Sequence, residues 1–324
     1  MTRRILLLGA TGTIGRATAA ALLARGYEVV CFLRPQADVQ SVTRALPGIT
    51  LRFGDVTSAT AWTQEALRGE RFDVLVSCLA SRTGAPHDAW AIDHDAHVLA
   101  LEAARTAGVT QMVLLSAICV QKPQLAFQQA KLAFEKKLMD SGLAWSIVRP
   151  TAFFKSLSGQ IERVRQGKPF LVFGDGTLTA CKPISDNDLA DFIAGCLDDP
   201  ERRNRILPIG GPGPAITPRE QGEHLFKLLG KPPKFKQVPV GLLDAVIAVL
   251  STLGRLVPAL AAKAELARIG RYYATESMLV LDPATGRYEA DATPSTGRET
   301  LFDFYERLVQ RGERAPELGD HAVF

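Results

Sequence analysis

The sequence predicts a doubly wound α/β fold, a parallel sheet covered by helices on both faces. Three observations predict it. Short apolar runs alternate with segments of helical apolar spacing over the first half of the chain, the runs are continuously apolar, and a glycine-rich turn follows the first run. Continuous apolar strands are typical of parallel sheets buried on both faces. The composition, 47% hydrophobic and 22% charged over 324 residues, is that of an ordinary globular protein.

The first 155 residues carry the strand–helix alternation and are assigned to a Rossmann-type nucleotide-binding domain. Segments such as 16–25 and 89–107 show apolar residues at helical spacing and supply crossover helices. Short β-rich runs between such segments are predicted as the strands of one parallel sheet. The predicted strands are 4–9, 28–33, 49–55, 73–80, 111–118 and 144–150.

The pattern loosens after residue 150. Residues 170–185 predict a strand, a turn and a second strand, and 186–200 predict a helix with an acidic first turn. We expect 170–200 to return to the main sheet and 200–324 to form a smaller substrate-binding lobe. Within that lobe, a helix is predicted to start at Thr217, because Pro218 occupies its first position.

Charge and cysteine content exclude several classes of function. The net charge of +4 is small and the basic residues are scattered, so no nucleic-acid partner is indicated. The five cysteines form no C-x-x-C pair and no zinc spacing, so we predict reduced thiols and no metal site. The apolar run at the start is only four residues long before Gly9, which indicates a cytoplasmic protein without a secretory signal.

The most hydrophobic later stretch is 238–264. Asp244, Arg255 and Pro258 interrupt it, and it falls short of the roughly 20 apolar residues that cross a bilayer. It is not predicted to be transmembrane. A buried helix, a surface that touches a photosynthetic membrane peripherally, and a contact for an apolar substrate all remain open.

Gly9, Gly12 and Gly15 form a G-x-x-G-x-x-G motif that follows a strand and opens a helix. This is the context of a dinucleotide-binding turn, where the backbone approaches a pyrophosphate and a helix N-terminus donates N–H groups. A glycine triplet alone is weak evidence, but its place in the first of several βα units strengthens it. The residues expected to line the cofactor within the motif are Thr11, Thr13 and Ile14.

NADPH is the predicted cofactor. An NAD site places an acid at the end of the second strand, whereas here Arg34 stands there. A guanidinium suits the 2′-phosphate of NADPH by charge and geometry, and Arg16 beside the turn is a second candidate. Asp55 is placed to meet the adenine edge. Three residues after the fourth strand are placed to line the cleft: Leu79, Ala80 and Ser81.

Several of these features resemble the atypical short-chain dehydrogenases/reductases. They are the GATGTIG and GDVT motifs, Ser116 at a strand end, Lys131 on a helix, and VRPTAFF at 148–154. The resemblance implies catalytic roles for Lys131, which holds the nicotinamide ribose, and for Ser116; a strand-end hydrogen bond is an equal alternative for Ser116. In the superfamily a Tyr-x-x-x-Lys pair supplies the acid, but Phe127 stands at the tyrosine position.

A closer resemblance extends over nearly the whole chain. LLSAICVQKPQLAFQQAKLAFE, VRPTAFFKSL, GDGTLTACKPISDNDLADFI and the C-terminal RYYATESMLVLDPATGRYEADATPSTGRETL are similar to the divinyl chlorophyllide a 8-vinyl-reductases. The resemblance implies NADPH-dependent reduction of the C8 vinyl group of a divinyl chlorophyllide or protochlorophyllide to ethyl. That reaction belongs to chlorophyll and bacteriochlorophyll biosynthesis. A chlorophyllide-type tetrapyrrole is therefore the expected substrate.

Reduction of a conjugated alkene makes no alkoxide, so the missing tyrosine acid is compatible with this reaction. Such a substrate needs a wide apolar cleft, with aromatic surfaces for stacking. The candidate walls are Phe127, Phe153, Phe154, Phe170, Phe173, Tyr272 and Tyr273. Lys155 and Lys182 are candidates for the substrate propionate. His94 and His97 are rejected as magnesium ligands, because their predicted helix packs outside the sheet.

Two other functions fit the same residues. One is a reductase of a smaller aromatic alkene or quinone methide, which would also use Lys131 without the tyrosine. The other is a regulator that senses NADPH and catalyses nothing, which the loss of the tyrosine would also suit. Retention of Lys131 and the elaborate lobe after residue 200 favour an enzyme.

Overall fold

A seven-stranded, entirely parallel sheet lies at the centre of the protein, as a computed structural model describes it for residues 2–37, 42–44, 46–255 and 257–310. The sheet strands are β1 Arg4–Leu8, β2 Glu28–Leu33, β3 Thr50–Phe53, β4 Val74–Ser77, β5 Gln111–Leu115, β6 Ala144–Pro150 and β8 Arg205–Ile209. Their order in the sheet is β3-β2-β1-β4-β5-β6-β8, so that successive strands are added on one side of β1 up to β3 and on its other side from β4 onward. The predicted doubly wound α/β fold is confirmed.

Helices cover both faces of this sheet and bury two separate cores. On one face, α1 (Thr13–Ala24) packs against α7 (Asp186–Gly195), and both helices share one buried cluster with the apolar side chains of β1 and β2. The helices on the other face are α2 (Ala59–Ala61, continued by π-helical Trp62–Leu67), α3 (Pro86–Ala89, π-helical Trp90–Ala96 and His97–Thr106) and α4 (Ala126–Met139). This face buries Trp62 and Phe134 among the alanines of α3.

The boundary expected near residue 200 does not coincide with the end of the sheet. β8 lies beyond that point and pairs with β6, and α7 returns to the sheet face. The strand at 170–173, β7 (Phe170–Phe173), instead pairs with β9 (Phe235–Val238) in a separate two-stranded sheet. The second strand expected before residue 185 reduces to isolated bridges at Cys181 and Ile184, because its backbone pairs with three different segments in turn.

Most of the remaining elements contribute to a third core beside the carboxyl edge of the sheet. Helix α8 (Pro218–Leu228) begins after Thr217, whose hydroxyl and backbone share a capping box with Glu220, as the sequence predicts. The other elements are α5 (Phe154–Leu157), α6 (Ile161–Arg165), α9 (Val240–Gly254), α10 (Pro258–Thr275), β10 (Val280–Leu281), β11 (Tyr288–Glu289) and α11 (Leu301–Gln310).

Within the described residues, each helix is too short or too polar to cross a bilayer. Position 256 and the last part of the expected lobe, 311–324, lie outside the described residues.

Candidate active site

The glycine-rich turn joins β1 to α1 at the carboxyl edge of the sheet, and its shape requires two of its glycines. Gly9 has φ of +82°, and a Cβ there would lie 2.5 Å from the carbonyl carbon of Cys78, just after β4. A Cβ on Gly15 would lie 2.1 Å from the carbonyl oxygen of Gly9. Gly12 is exposed and has no such backbone clash, so its bare surface is left for a ligand.

The start of α1 has the properties of an anion site. Gly12 occupies the N-cap position without a side chain, so the N–H groups of Thr13, Ile14 and Gly15 lack a side-chain cap. The Nε atom of Arg16 is buried and has no hydrogen-bond partner. An uncapped helix start beside an unpaired guanidinium nitrogen fits the pyrophosphate of a dinucleotide. The residues present therefore fit the predicted cofactor.

Arg34 and Asp55 follow the two strands on one side of β1. Arg34 is exposed directly after β2, and Asp55 is exposed two residues after β3. The Asp55 carboxylate accepts bonds from the backbone N and the hydroxyl of Thr57, at 2.9 and 2.7 Å, and these bonds lower its pKa. The structure thus brings both residues to the same edge as the glycine turn, and their contacts with a cofactor stay predictions.

On the other side of β1, the segment after β4 leads to a buried ion pair. Ala80 is exposed at the edge, and the backbone N of Ser81 lies 3.3 Å from Asp93 Oδ1. Lys131 Nζ lies 2.8 Å from the same oxygen, with the Asp93 side chain fully buried and that of Lys131 11% exposed. An ammonium has three N–H donors. With one used on Asp93, Lys131 can also bind a ligand at the cleft.

The π-helical part of α3 positions Asp93. In this wide turn the Nδ1 atom of His97 lies 2.8 Å from the carbonyl oxygen of Ile92, while its Nε2 lies 2.8 Å from the Ser77 hydroxyl at the end of β4. Burial, with the nearby charge of Lys131, lowers the pKa of His97 to about 4. His97 is therefore a neutral, buried anchor for the helix that carries Asp93.

Ser116 has a partner inside the protein. Its hydroxyl donates to Glu135 Oε1 at 2.5 Å, and Glu135 is also held by Arg149 of β6. Both Ser116 and Glu135 are buried. The contact with Glu135 favours a structural hydrogen bond at the strand end as the role of Ser116. The catalytic role of Ser116 stays a prediction.

The phenylalanines predicted as walls of the substrate site differ in burial: some are half-buried and others lie in the core. Phe127 is half-buried, packed beside Ile269 of α10 and the turn at Gly84. Phe153 is also half-buried, whereas Phe154 is buried with its ring centroid 5.4 Å from that of Phe304. Phe154 therefore packs against protein and, as placed, offers no surface to a substrate. Phe170 is buried in the same core, and Phe173 is half-buried at the end of β7.

Tyr272 and Tyr273 are neighbours on α10 with different surroundings. The Tyr272 hydroxyl donates to the backbone oxygens of Cys119 and Lys122, at 2.9 and 3.1 Å, so this buried residue fastens the turn after β5. Tyr273 is 38% exposed, and its hydroxyl lies 4.0 Å from Cys119 Sγ. Burial of that hydroxyl raises the pKa of Tyr273 well above 10. Tyr273 is the one of the pair that can face a ligand.

The C-terminal segment 271–301 contacts the turn after β5. Gln121 exchanges hydrogen bonds with the backbone at Leu279 and Leu281, and Lys122 Nζ lies 2.7 Å from Glu276 Oε1. The same segment also runs along residues 180–182 and 210, where Lys182 Nζ donates to the Thr293 carbonyl at 3.0 Å. Lys182 is thereby engaged with protein. Lys155 lies within range of Asp186 near the glycine turn, where burial raises the Asp186 pKa against the opposing effects of Thr13 and Lys155.

Metal-ligand clusters of three or more His, Cys, Asp or Glu side chains do not occur among the described residues. His94 pairs with Asp95 at 2.7 Å, and His97 is occupied as described above. A groove of about 430 Å³ lies between α1 and α7, lined in part by Arg25, Asp191 and Arg202. It lies near the amino ends of the strands, opposite the glycine turn.

Comparison with known proteins identifies the family. The model of the NAD(P)H-binding family matches residues 9–200. The chain is 51% identical to the chloroplastic divinyl chlorophyllide a 8-vinyl-reductase of Cucumis sativus over 99% of this chain and 79% of that one. It is 48% identical to the enzyme of the same name from Arabidopsis thaliana, over 98% and 79%.

The chain belongs to the divinyl chlorophyllide a 8-vinyl-reductase family. This 8-vinyl-reductase family member also carries an NAD(P)H-binding domain. Its fold is shared with the NADPH-dependent quinone oxidoreductase of Escherichia coli in complex with NADPH. That structure is 20% identical, with a TM-score of 0.65, over 94% of this chain and 99% of the other.

Two residues of this family member's site were not predicted from the sequence. Asp93 and Glu135 are buried carboxylates that hold Lys131 and Ser116. A signal existed for each. Asp93 lies on the alanine-rich buried face of α3, and Glu135 follows Lys131 by one helical turn. An acid on an apolar face is a candidate partner for a nearby cation.

Proposed function

We propose that this protein catalyses the NADPH-dependent reduction of the C8 vinyl group of divinyl chlorophyllide a, or of divinyl protochlorophyllide, to ethyl. Its place would be in chlorophyll and bacteriochlorophyll biosynthesis. The observation that carries the proposal is the pair Lys131 and Phe127 on α4. Lys131 is held by Asp93, whose carboxylate also lies 3.3 Å from the Ser81 N–H after β4, and Phe127 stands where carbonyl reductases of this superfamily have their acid.

The chain's own residues would hold NADPH in three places. The uncapped N–H groups of α1 would bind the pyrophosphate, with Arg16 beside them. Arg34 would bind the 2′-phosphate by charge and bidentate geometry. Lys131, fixed by Asp93, would bind the nicotinamide ribose hydroxyls. When bound, the cofactor supplies the hydride that the vinyl group receives.

Phe127 suits an alkene substrate. A carbonyl reduced by hydride becomes an alkoxide that needs an acid, whereas charge from a reduced vinyl group is delocalised into the macrocycle. The phenyl ring of Phe127 and the side chain of Ile269 on α10 both lie beside Gly84, and in this proposal the ring forms an apolar wall of the substrate site. In this proposal the rate depends on the positioning of two reactants, which proteins achieve with rigid surroundings.

The macrocycle would lie against the exposed ring of Tyr273 and the half-buried rings of Phe127 and Phe153. The C-terminal segment 271–301 would shape this pocket rather than the cofactor site, because it is hydrogen-bonded to the turn after β5. Lys155 is the remaining candidate for the propionate. We also propose that the protein works at the periphery of photosynthetic membranes; the plant relatives are named as chloroplastic.

The proposal is tested by incubating purified protein with divinyl chlorophyllide a and NADPH in the dark, and separating the pigments by chromatography. We expect the 8-ethyl product to form in proportion to enzyme and time, and parallel assays with divinyl protochlorophyllide to rank the two substrates. A protein that binds NADPH, measured by cofactor fluorescence, but converts neither pigment would overturn the proposal. That result would support the sensing regulator instead.

A further inference from the structure

Helix α9 exposes an unusual row of apolar side chains. Leu242, Val246, Val249, Leu253 and, just past the helix, Val257 recur at intervals of three or four residues and are each between 38% and 58% exposed. We call these five residues the apolar face of α9. Every residue of α9 retains some exposure. Large contiguous apolar surfaces on a soluble protein mark interaction sites.

Most of the contacts that α9 makes with the rest of the protein are with one neighbouring helix, α10. Helix α9 packs chiefly on α10, and their crossing is close enough that a Cβ on Gly254 would lie 2.9 Å from the Cα of Ala261. Asp244 is the only charged residue in the sequence of α9, and it forms an ion pair with Arg271 of α10. The hairpin therefore holds the apolar face outward.

The charges around this hairpin are strongly one-sided. Residues 231–275 contain seven basic and two acidic residues, a net charge of +5, whereas the whole chain has only +4. Both acids are paired within the hairpin, Asp244 with Arg271 and Glu265 with Arg268. Exposed cations lie before α9, directly after it and on α10: Lys234 and Lys236, Arg255, and Lys263.

We propose that the apolar face of α9 docks on the surface of a lipid bilayer that contains anionic lipids. An amphipathic helix with basic flanks binds such a surface by burying its apolar side chains at the headgroup level and by charge attraction. At 15 residues α9 is shorter than the roughly 20 that span a bilayer, so it would lie along the surface. This inference rests on the proposed function only for the identity of the membrane.

Two other occupants fit less well. Small-molecule sites are concave, whereas the apolar face of α9 is the convex side of a helix. A second copy of the chain, meeting the same face by two-fold symmetry, would bring two sets of these cations together without acids to pair them. A negatively charged lipid surface complements both the shape and the charge.

The test is co-sedimentation of the full-length protein with vesicles. Vesicles of phosphatidylcholine are compared with vesicles that contain about one-third phosphatidylglycerol, in low salt and in about 0.5 M salt. We expect binding to the anionic vesicles, and weaker binding to neutral vesicles and in high salt. The double variant Leu242→Gln/Val249→Gln should bind the anionic vesicles at least about 10-fold more weakly.

A matched control carries the same change at exposed apolar residues elsewhere. Leu178 and Met139 are 52% and 38% exposed, and Leu178→Gln/Met139→Gln should bind vesicles as the wild type does. Equal binding by the α9 variant and the wild type, or no binding to anionic vesicles, would overturn the inference. So would a dimer in size-exclusion chromatography that the α9 variant alone converts to monomer.

The same preparations separate this inference from the proposed function. The α9 double variant should reduce divinyl chlorophyllide a in detergent solution at the wild-type rate, because neither residue belongs to the cleft. Vesicle binding that depends on α9, without any reduction of the pigment, would sink the proposed function and leave the docking surface standing. Pigment reduction without vesicle binding would overturn the docking surface, and with it the proposed peripheral location, and would leave the proposed reaction standing.

Discussion

Replacing Lys131 by methionine should reduce both stability and activity, for two separable reasons. In the wild type, Asp93 is fully buried, Lys131 Nζ lies 2.8 Å from Oδ1, and Oδ2 is without a hydrogen-bond partner. The variant leaves this carboxylate with the Ser81 N–H at 3.3 Å. Breaking a buried ion pair from one side costs about 3–5 kcal/mol of the unfolding free energy. We expect a loss near 3 kcal/mol, because the Ser81 contact remains.

A second variant separates the two effects. Lys131→Met combined with Asp93→Asn removes the buried charge as well, and should recover the unfolding free energy to within about 1 kcal/mol of the wild type. Its kcat/KM should nevertheless stay on the order of 100-fold low, since a misplaced nicotinamide forfeits positioning. Lys136→Met is the matched control on the same helix. Its pair with Asp140 is exposed, so neither stability nor activity should change measurably.

Urea unfolding followed by circular dichroism measures the first quantity, and initial rates with NADPH and divinyl chlorophyllide a measure the second. The reasoning is refuted if the double variant reduces pigment with the wild-type kcat/KM. It is also refuted if the single and double variants are equally unstable, because the buried carboxylate would then not be the cause.

Three further predictions concern the cofactor, the missing acid and pH. Arg34→Ala should weaken NADPH binding by about 10–100-fold and leave NADH nearly unchanged, measured by fluorescence titration; equal losses would exclude a 2′-phosphate contact. Phe127→Tyr should keep most of the vinyl-reduction rate, and a rise by orders of magnitude would show that proton donation had been limiting. The pKa of His97 is about 4 in the folded protein and about 6.5 when unfolded, so the unfolded state binds more protons between these values. Stability should therefore fall as pH drops from 6.5 towards 4, by up to about 1.4 kcal/mol per unit from this residue. The charges of Lys131 and Asp93 act on the same imidazole ring. The His97→Gln variant, unfolded with urea between pH 4 and pH 6.5, should show a smaller dependence of the unfolding free energy on pH than the wild type. An unchanged dependence would contradict the low pKa of His97.

The sequence predicted the sheet and the glycine turn because their requirements are local. Gly9 and Gly15 are needed by the backbone itself, and the strands are apolar runs that start or end within a few residues of their predicted bounds. The candidates for cofactor contact were chosen from strand ends, which lie at one edge of any parallel sheet; their contacts stay predictions.

Tertiary contacts decided what the sequence left open. Neighbouring residues on a helix point about 100° apart, so either Tyr272 or Tyr273 could have faced the core. The hydrogen bond from the Tyr272 hydroxyl to the Cys119 carbonyl shows that Tyr272 is the buried one. Ser116 similarly turns to Glu135, a residue 19 positions away. β8 joins the sheet because β6 has a free edge, which no pattern near residue 200 reveals.

The number of residues in the wide turn at Trp90–Ala96 determines where the Asp93 carboxylate lies. A π-helical turn accommodates about one residue more than an α-helical turn. Deleting one residue there would let an ordinary helix run through and swing the part before the deletion by about 100° relative to His97. Asp93 would then lose its ion pair with Lys131, while His97 would keep its hydrogen bond with Ser77. A relative that is one residue shorter between β4 and β5 must therefore restrain its lysine by other means, however similar its glycine turn remains.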